Sequence, residues 1–367
     1  MMKFADDLGP LKIIHVYQPS VGLNATLVVD NVARGPSIGG MRMAPDVTTE
    51  ECFRLARAMT LKNAAADLPH GGGKMVINAD PNAPREQKEQ ILRCLVNALR
   101  NETDYVFAPD MGTNETCMSW IRDEVDRVVG LPRSLGGIPL DEIGATAWGL
   151  KVATKIATDA TRLNLNNARF AVQGFGAVGS HAARFLSDEG ATLVAASEST
   201  GAIANPDGLD VSALIELKQN NQPLTSYGKA QRISPDELIG VDCDIWIPAA
   251  RPDVINAGNA ASIKASIIAQ GANIPATAEA EQLLHERGVL VLPDFIANAG
   301  GVICAAMEFA GATESMVFPA IEEKIARNMA TVIEHSHREN LLPRAAAERL
   351  ARSRVETAMQ NRRWTIF

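Results

Sequence analysis

The chain has 367 residues, with 43 acidic side chains against 35 basic ones, a formal charge of −8 and 46% hydrophobic residues. That length predicts two domains and room for a sizeable core, and the acidic balance argues against a nucleic-acid surface, whose footprint is a basic stripe. No apolar stretch approaches the ~20 residues of a membrane span, and the opening MMKFADDLGP has acids where a secretory leader needs an apolar core.

The five cysteines (Cys52, Cys94, Cys117, Cys243, Cys304) show no CxxC or paired spacing, and the six histidines include no HExxH. This predicts reduced thiols in a cytoplasmic protein and no metal site. His335 and His337, two apart on an expected helix, are read as surface positions.

In chain order, residues 25–32 (ATLVVDNV) read as a strand and residues 49–66 as a helix with Leu55, Met59 and Leu61 in its apolar pattern. Residues 74–81 (KMVINADP) read as a strand ending at proline. Lys62 and Lys74, twelve residues apart, bracket a proline-glycine stretch in which Gly71, Gly72 and Gly73 directly precede the second lysine. Glycine permits positive φ and close approach of a ligand, so Lys74 reads as presented; a surface turn with an incidental lysine is the other reading of that window. Residues 85–100 form an amphipathic helix with Ile91, Leu95 and Ala98 on its apolar face, and residues 105–112 a short strand running into a loop.

The stretch GLPRSLGGIPLDEIG (130–144) reads as a boundary, and residues 147–163 as a helix beyond it. Short strands apolar on both faces then alternate with helices (ARFAVQG, ATLVAAS, CDIWIPAA, SIIAQGA, GVLVLPD), the pattern of a doubly wound parallel sheet, and 320–359 is helical and charged. The expected division is therefore a mixed α/β domain at 1–133, a Rossmann-type α/β domain at 134–330, and a helical tail at 331–367 that returns to the first domain.

Within 169–198 a strand leads into Gly174-Phe175-Gly176-Ala177-Val178-Gly179, then a helix, a second strand and Glu198, nineteen residues after the last glycine. This context, rather than GxGxxG alone, marks a dinucleotide site. The glycines allow a tight turn and close approach of the pyrophosphate to a helix N-terminus, and Glu198 is placed to accept hydrogen bonds from the adenine-ribose hydroxyls. A carboxylate there repels a 2′-phosphate and favours NAD, while Ser197, Ser199 and Thr200 leave NADP open.

The chain resembles the glutamate/leucine/phenylalanine/valine dehydrogenase family over nearly its whole length. The residues that carry the resemblance are IGGMRMAPDVTTEE (38–51), MTLKNAAADLPHGGGK (59–74), APDMGT (108–113), VQGFGAVGSHAARFL (172–186), NPDGLD (205–210), VDCDIWIPAA (241–250), AQGANIPAT (269–277) and LPDFIANAGGVICAAMEF (292–309). The resemblance implies a substrate domain and a Rossmann domain facing a cleft, a homo-oligomer (dimer or octamer), and reversible oxidative deamination of an L-amino acid to its 2-oxo acid and ammonium. It implies Lys62 on the substrate α-carboxylate, Lys74 activating water and polarising the carbonyl, and Asp110 as general acid/base. It also places Gly39, Gly40, Met59, Ala108, Asn273 and Asn298 along the substrate, and Thr146, Ala249 and again Asn273 beside the nicotinamide cofactor.

Glutamate dehydrogenases of this family carry a lysine just before the GG of GGxR and a serine five residues after the first glycine of NAGG, both for the γ-carboxylate. Here these positions are Ile38 and Ala305. An unpartnered carboxylate buried there would cost roughly several kcal/mol, so the expected substrate is an apolar or aromatic L-amino acid. DLPHGGGK and SESTGAIANPDGLD look more like glutamate dehydrogenases, which keeps glutamate as the alternative, beside a non-catalytic dinucleotide-binding homologue.

Overall fold

A computed structural model describes residues 4–361. The chain divides into two compact units: the first holds the residues up to Leu140, Val302–Val317 and those from Glu348 onward, and the second holds Asp141–Gly301 and Phe318–Ala347. The first boundary thus lies seven residues beyond the expected 133, and the stretch 302–317, expected in the Rossmann domain, joins the first unit.

The first unit contains β1 (Lys12–Gln18), β2 (Leu23–Asn31), β3 (Ser37–Ala44), α1 (Thr49–Ala65), β4 (Gly71–Asn78), α2 (Arg85–Ala98), β5 (Tyr105–Pro109) and α3 (Glu115–Arg122). Its sheet runs β1-β2-β4-β3-β5; β3 is parallel to β4 and β5, while β1/β2 and β2/β4 are antiparallel. Side chains alternate between strand faces, and the two faces bury different partners. Leu27, Val29, Met41, Met43, Met75 and Ile77 pack with Ile91, Leu92 and Leu95 of α2 and Met118 and Ile121 of α3. On the other face Val28 and Val76 meet Cys52 and Ala56 of α1. That helix starts at a cap in which Thr48 accepts from the Glu51 N–H at 3.1 Å, with Glu50 and Glu51 placed favourably in its first turn.

Three strands of this unit differ from expectation, the first being β1, whose residues 12–18 carried no strand reading. β3 lies in a stretch read only as a motif, and β4 begins at Gly71, three residues before the expected start, so the glycines belong to the strand and not to a turn. The reason is steric. A Cβ on Gly71 would stand 1.8 Å from the Asn31 carbonyl oxygen, and one on Gly72 would stand 2.0 Å from the Thr60 nitrogen. None of the three has positive φ. They let β2 and α1 approach the strand more closely than any side chain would allow.

The second unit contains α4 (Leu140–Ile143, whose first residue ends the first unit), α5 (Ala145–Thr161), β6 (Arg169–Gln173), α6 (Ala177–Asp188), β7 (Thr192–Glu198), β8 (Gly201–Ala204), α7 (Val211–Gln219), β9 (Gln231–Ile233), β10 (Ile245–Pro248), β11 (Ile267–Ala269), α8 (Ala278–Glu286), β12 (Leu290–Leu292) and α9 (Asp294–Ala297). Its sheet order is β12-β11-β10-β6-β7-β8-β9. The first five strands are parallel and β8 and β9 close one edge antiparallel, a doubly wound arrangement as expected.

Three helices carry the chain from one unit to the other: α10 (Gly300–Phe309), α11 (Val317–Glu339) and α12 (Pro343–Asn361). The tail read as helical is two helices, broken at Asn340, which takes φ +51°, and restarted by Pro343 at a first helical position, where its missing N–H costs nothing.

Candidate active site

In the first unit the structure brings Lys74 and Asp110 together. Lys74 stands on the face of β4 that α1 covers, and Asp110 follows the last residue of β5, two strands away. Lys74 Nζ lies 2.7 Å from Asp110 Oδ2, and the lysine side chain is only 8% exposed. The space between them exists because β3 has no side chain at Gly40: a Cβ there would stand 2.6 Å from Asp110 Cβ. A turn holds the aspartate, with its N–H donating to Thr113 Oγ1 at 3.0 Å and the Thr113 hydroxyl donating to the Met41 carbonyl at 2.8 Å.

Burial alone would raise the Asp110 pKa, but the Lys74 charge and hydrogen bond, then the Arg42 charge and the Met111 N–H, outweigh it and hold the carboxyl below its usual range. Arg42 was not singled out in the sequence, although it stands in the quoted IGGMRM motif. Its Nε donates to Asp110 Oδ2 at 3.1 Å and its Nη1 to Glu51 Oε1 at 2.7 Å. The nearby thiol is inert: burial pushes Cys52 up to about 12, and its Sγ donates to the Lys74 carbonyl at 3.2 Å.

Lys62 is half-buried in the last turn of α1, and Met59 is half-buried one turn earlier. Ile38, 3% exposed, shares the Gly40 and Arg42 face of β3 and is paired with Gly72 of β4, one residue short of Gly73 and two short of Lys74. Gly39 faces the opposite way, where a Cβ would meet the Gly73 carbonyl oxygen at 1.8 Å, and its own carbonyl accepts from the Tyr105 hydroxyl at 2.5 Å. Ala108, paired with Gly40, is buried. Ala305 is half-buried on α10, one turn before Phe309, whose ring meets the ring of His70 edge-on at 5.6 Å just ahead of β4. Glu308 fixes this helix by accepting from the Leu131 and Ile138 N–H groups at 3.1 and 3.0 Å.

In the second unit the three fingerprint glycines serve three purposes. Gly174 takes φ +94° in the turn after β6, where a Cβ would meet Ala250. Gly179 lies against the Gly174 carbonyl oxygen, 2.0 Å from where its Cβ would be, so α6 can pack tightly on the strand. Gly176 has nothing within 4 Å of its Cβ position, and α6 begins there without a side-chain cap, leaving the first-turn N–H groups of Ala177, Val178 and Gly179 without one. An exposed helix start with open space before it fits a pyrophosphate.

Glu198 ends β7 as expected, but its surroundings differ from the expectation. Its carboxylate is bonded to the Lys218 ammonium, accepts from the Leu224 N–H at 2.7 Å and accepts from the Thr200 hydroxyl at 2.8 Å. Burial raises its pKa and these three partners lower it further, for a net downward shift. The lone carboxylate expected to repel a 2′-phosphate is therefore paired with a lysine, and Ser199 is exposed beside it.

The strand ends collect the remaining residues. The N–H of Ala249, just after β10, donates to the Gln173 carbonyl at 2.7 Å. Asn273, after β11, is exposed, and its Oδ1 accepts from Nδ2 of the buried Asn298 at 3.0 Å. The next residue, Ile274, is held at φ +49° and donates its N–H to Asp294 Oδ2 at 2.8 Å. Thr146 stands in the first turn of α5, where Gly300 approaches so closely that its Cβ would be 1.9 Å from the Ala145 carbonyl oxygen.

Among the described residues no cluster of His, Cys, Asp or Glu could hold a metal, and no helix is long and apolar enough to cross a membrane.

Residues 136–363 match the family model described as glutamate/leucine/phenylalanine/valine dehydrogenase, and residues 13–127 match the dimerisation domain of the same enzymes. The glutamate dehydrogenase of Thermotoga maritima is 39% identical over 355 residues, spanning 91% of this chain and 85% of that protein. The hetero-hexameric glutamate dehydrogenase of Thermus thermophilus in its leucine-bound form superposes with a TM-score of 0.84 at 28% identity, covering 97% of this chain and 91% of the other. The L-tryptophan dehydrogenase of Nostoc punctiforme gives 0.77 at 25% identity, covering 96% and 98%. Dehydrogenases of this family use NAD or NADP. With both parts of the family matched in order over most of its length, the chain belongs to the glutamate/leucine/phenylalanine/valine dehydrogenases.

Proposed function

We propose that this protein catalyses the reversible oxidative deamination of an L-amino acid: amino acid, NAD(P)⁺ and water give the 2-oxo acid, ammonium, NAD(P)H and a proton. The observation that carries this reading is the ion pair between the buried Lys74 and the half-buried Asp110. Lys62 holds the substrate α-carboxylate. Lys74, as the free amine, takes a proton from the water that adds to the imine carbon left by hydride loss, and Asp110, ionised, carries the carbinolamine hydroxyl proton to the departing nitrogen. When bound, the nicotinamide supplies the hydride acceptor. The α6 N-terminus and Gly176 would hold its pyrophosphate, with Thr146, Ala249 and Asn273 around the nicotinamide.

Among the possible substrates, the names of curated relatives at 37–39% identity support glutamate better than the apolar amino acid expected from sequence. Under that reading the γ-carboxylate must find its partner somewhere other than positions 38 and 305. A second reading, an apolar or aromatic amino acid, rests on one specific observation. Ile38 is buried on the Lys74 face without a cation in its place, and a relative acting on tryptophan exists at 25% identity. Five cysteines, none of them in a disulfide, fit a reducing, cytoplasmic setting. The dimerisation-domain match supports a homo-oligomer, whose size light scattering would give.

Initial rates of NAD⁺ and NADP⁺ reduction across a panel of L-amino acids test this. Turnover of glutamate above leucine, phenylalanine and tryptophan supports the first reading and the reverse supports the second. In the second case Ile38→Lys with Ala305→Ser should move preference toward glutamate. Silence on every amino acid, with NADH still bound, would leave a non-catalytic dinucleotide-binding protein.

A further inference from the structure

Both cations that touch Asp110 touch the same oxygen. Lys74 Nζ and Arg42 Nε sit 2.7 and 3.1 Å from Oδ2, so Oδ1 takes no side-chain partner among the described residues. The guanidinium is itself anchored, because its other arm donates to Glu51 on α1. We propose that Arg42 is a positioning residue for the catalytic pair. Clamped between Glu51 and Asp110 Oδ2, it turns Oδ1 toward the proton being transferred and keeps Asp110 from taking the proton that Lys74 gives up.

The electrostatics follow from the permanence of the charge. A guanidinium stays protonated at any working pH. Lys74 must lose its proton to act as a base, and in a two-member pair that proton could simply move 2.7 Å onto Asp110. A fixed positive charge beside Oδ2 helps hold the Asp110 carboxyl below its usual range, so the carboxylate does not keep the proton. The other groups around it are accounted for. On α1, Glu51 is bound to Arg42, Cys52 is a buried neutral thiol, and Lys62 stands half-buried in the last turn. On β5, burial holds Tyr105 well above its ordinary value. On β2, Asp30 is bonded to Arg57 and to the Thr60 hydroxyl.

This inference rests on the dehydrogenase reading, so its test uses two signals. The first is the pH profile of kcat/KM. The second is the pH midpoint for modification of Lys74 by an amine-directed reagent, located by peptide mass mapping, which needs no turnover. In Arg42→Gln both should move to higher pH by about one unit, with Arg42→Lys restoring part of the shift and NADH affinity unchanged. Glu51→Gln keeps an acceptor for the guanidinium but removes the negative charge offsetting it, so both signals should move to lower pH; this variant also covers the case where Arg42→Gln does not fold. Midpoints that stay in place in all variants, or that move the same way for Arg42→Gln and Glu51→Gln, overturn the role. A moving Lys74 midpoint in a protein that turns over no amino acid would sustain Arg42 while removing the proposed reaction.

Discussion

The molecule uses two glycine runs that look alike in sequence and do opposite things. Gly71–Gly73 lie inside a strand with ordinary backbone angles, and a Cβ at any of them would fall within 3 Å of a neighbouring atom. Gly174–Gly179 mix one positive φ, one open position and one packing contact. The first run is closed by protein and lets β2 and α1 close around the strand that carries Lys74. The second is open at Gly176, where a ligand can use the space. Glycine density alone therefore does not mark a ligand loop; what faces the missing Cβ does.

Several experiments would break or sharpen that contrast. The largest effect belongs to the lysine at the end of the closed run. Lys74→Ala should lower kcat by ~10²–10⁴-fold while NADH binding, measured by fluorescence titration, stays as it was; unchanged turnover would take Lys74 out of the mechanism. Next comes Gly72→Ala, whose methyl overlaps the Thr60 backbone. Overpacking of this kind costs typically ~1–3 kcal/mol, so denaturant unfolding should show a clear loss, and wild-type stability would mean that α1 can shift freely.

The open run should behave in the reverse sense. Gly176→Ala meets nothing in the protein, so stability should change by no more than about 0.5 kcal/mol, yet NADH affinity should fall several-fold because the methyl occupies the approach to the α6 N–H groups. Equal affinity would place the pyrophosphate elsewhere.

The smallest effect concerns Glu198. Its folded pKa lies below its unfolded one, so its contribution is complete above the unfolded value, near ~4.3, and drains away as the pH falls through the folded value. Glu198→Gln should flatten the acid side of a stability–pH curve by under about 1 kcal/mol. The same pair bears on the cofactor: Lys218→Gln, which leaves the carboxylate uncompensated, should weaken NADPH binding more than NADH binding. An unchanged ratio of the two affinities would separate Lys218 from cofactor choice.

How much of this was legible in the sequence varies with the kind of interaction. The fingerprint was readable because its geometry is mostly local: turn, helix start and following strand all fall within thirty residues, and Gly179 packs against the Gly174 carbonyl in the same βαβ unit. The Lys74–Asp110 pair came from resemblance alone, since thirty-six residues separate the two and only the order β4-β3-β5 brings them to one face. Arg42 was missed although it was in plain sight, because its stretch was read only as a motif and not as a strand beside β5. Nothing in its local pattern says that Asp110 stands beside it and Glu51 above it. The state of Glu198 was missed for the same reason: Lys218 and Leu224 reach it from α7 and the turn beyond.

By itself, then, the sequence determined the two fold types and the position of the glycine fingerprint between strand and helix, because periodicity and short glycine spacing are properties of neighbours along the chain. Only the tertiary structure decided that the glycine triplet is a strand, that Asp110 carries two cations on one oxygen, and that the Glu198 carboxylate already has a lysine. Each of these depends on which strands and helices lie side by side, and a backbone brought to within 2 Å of a missing Cβ leaves no trace in the residues that flank it.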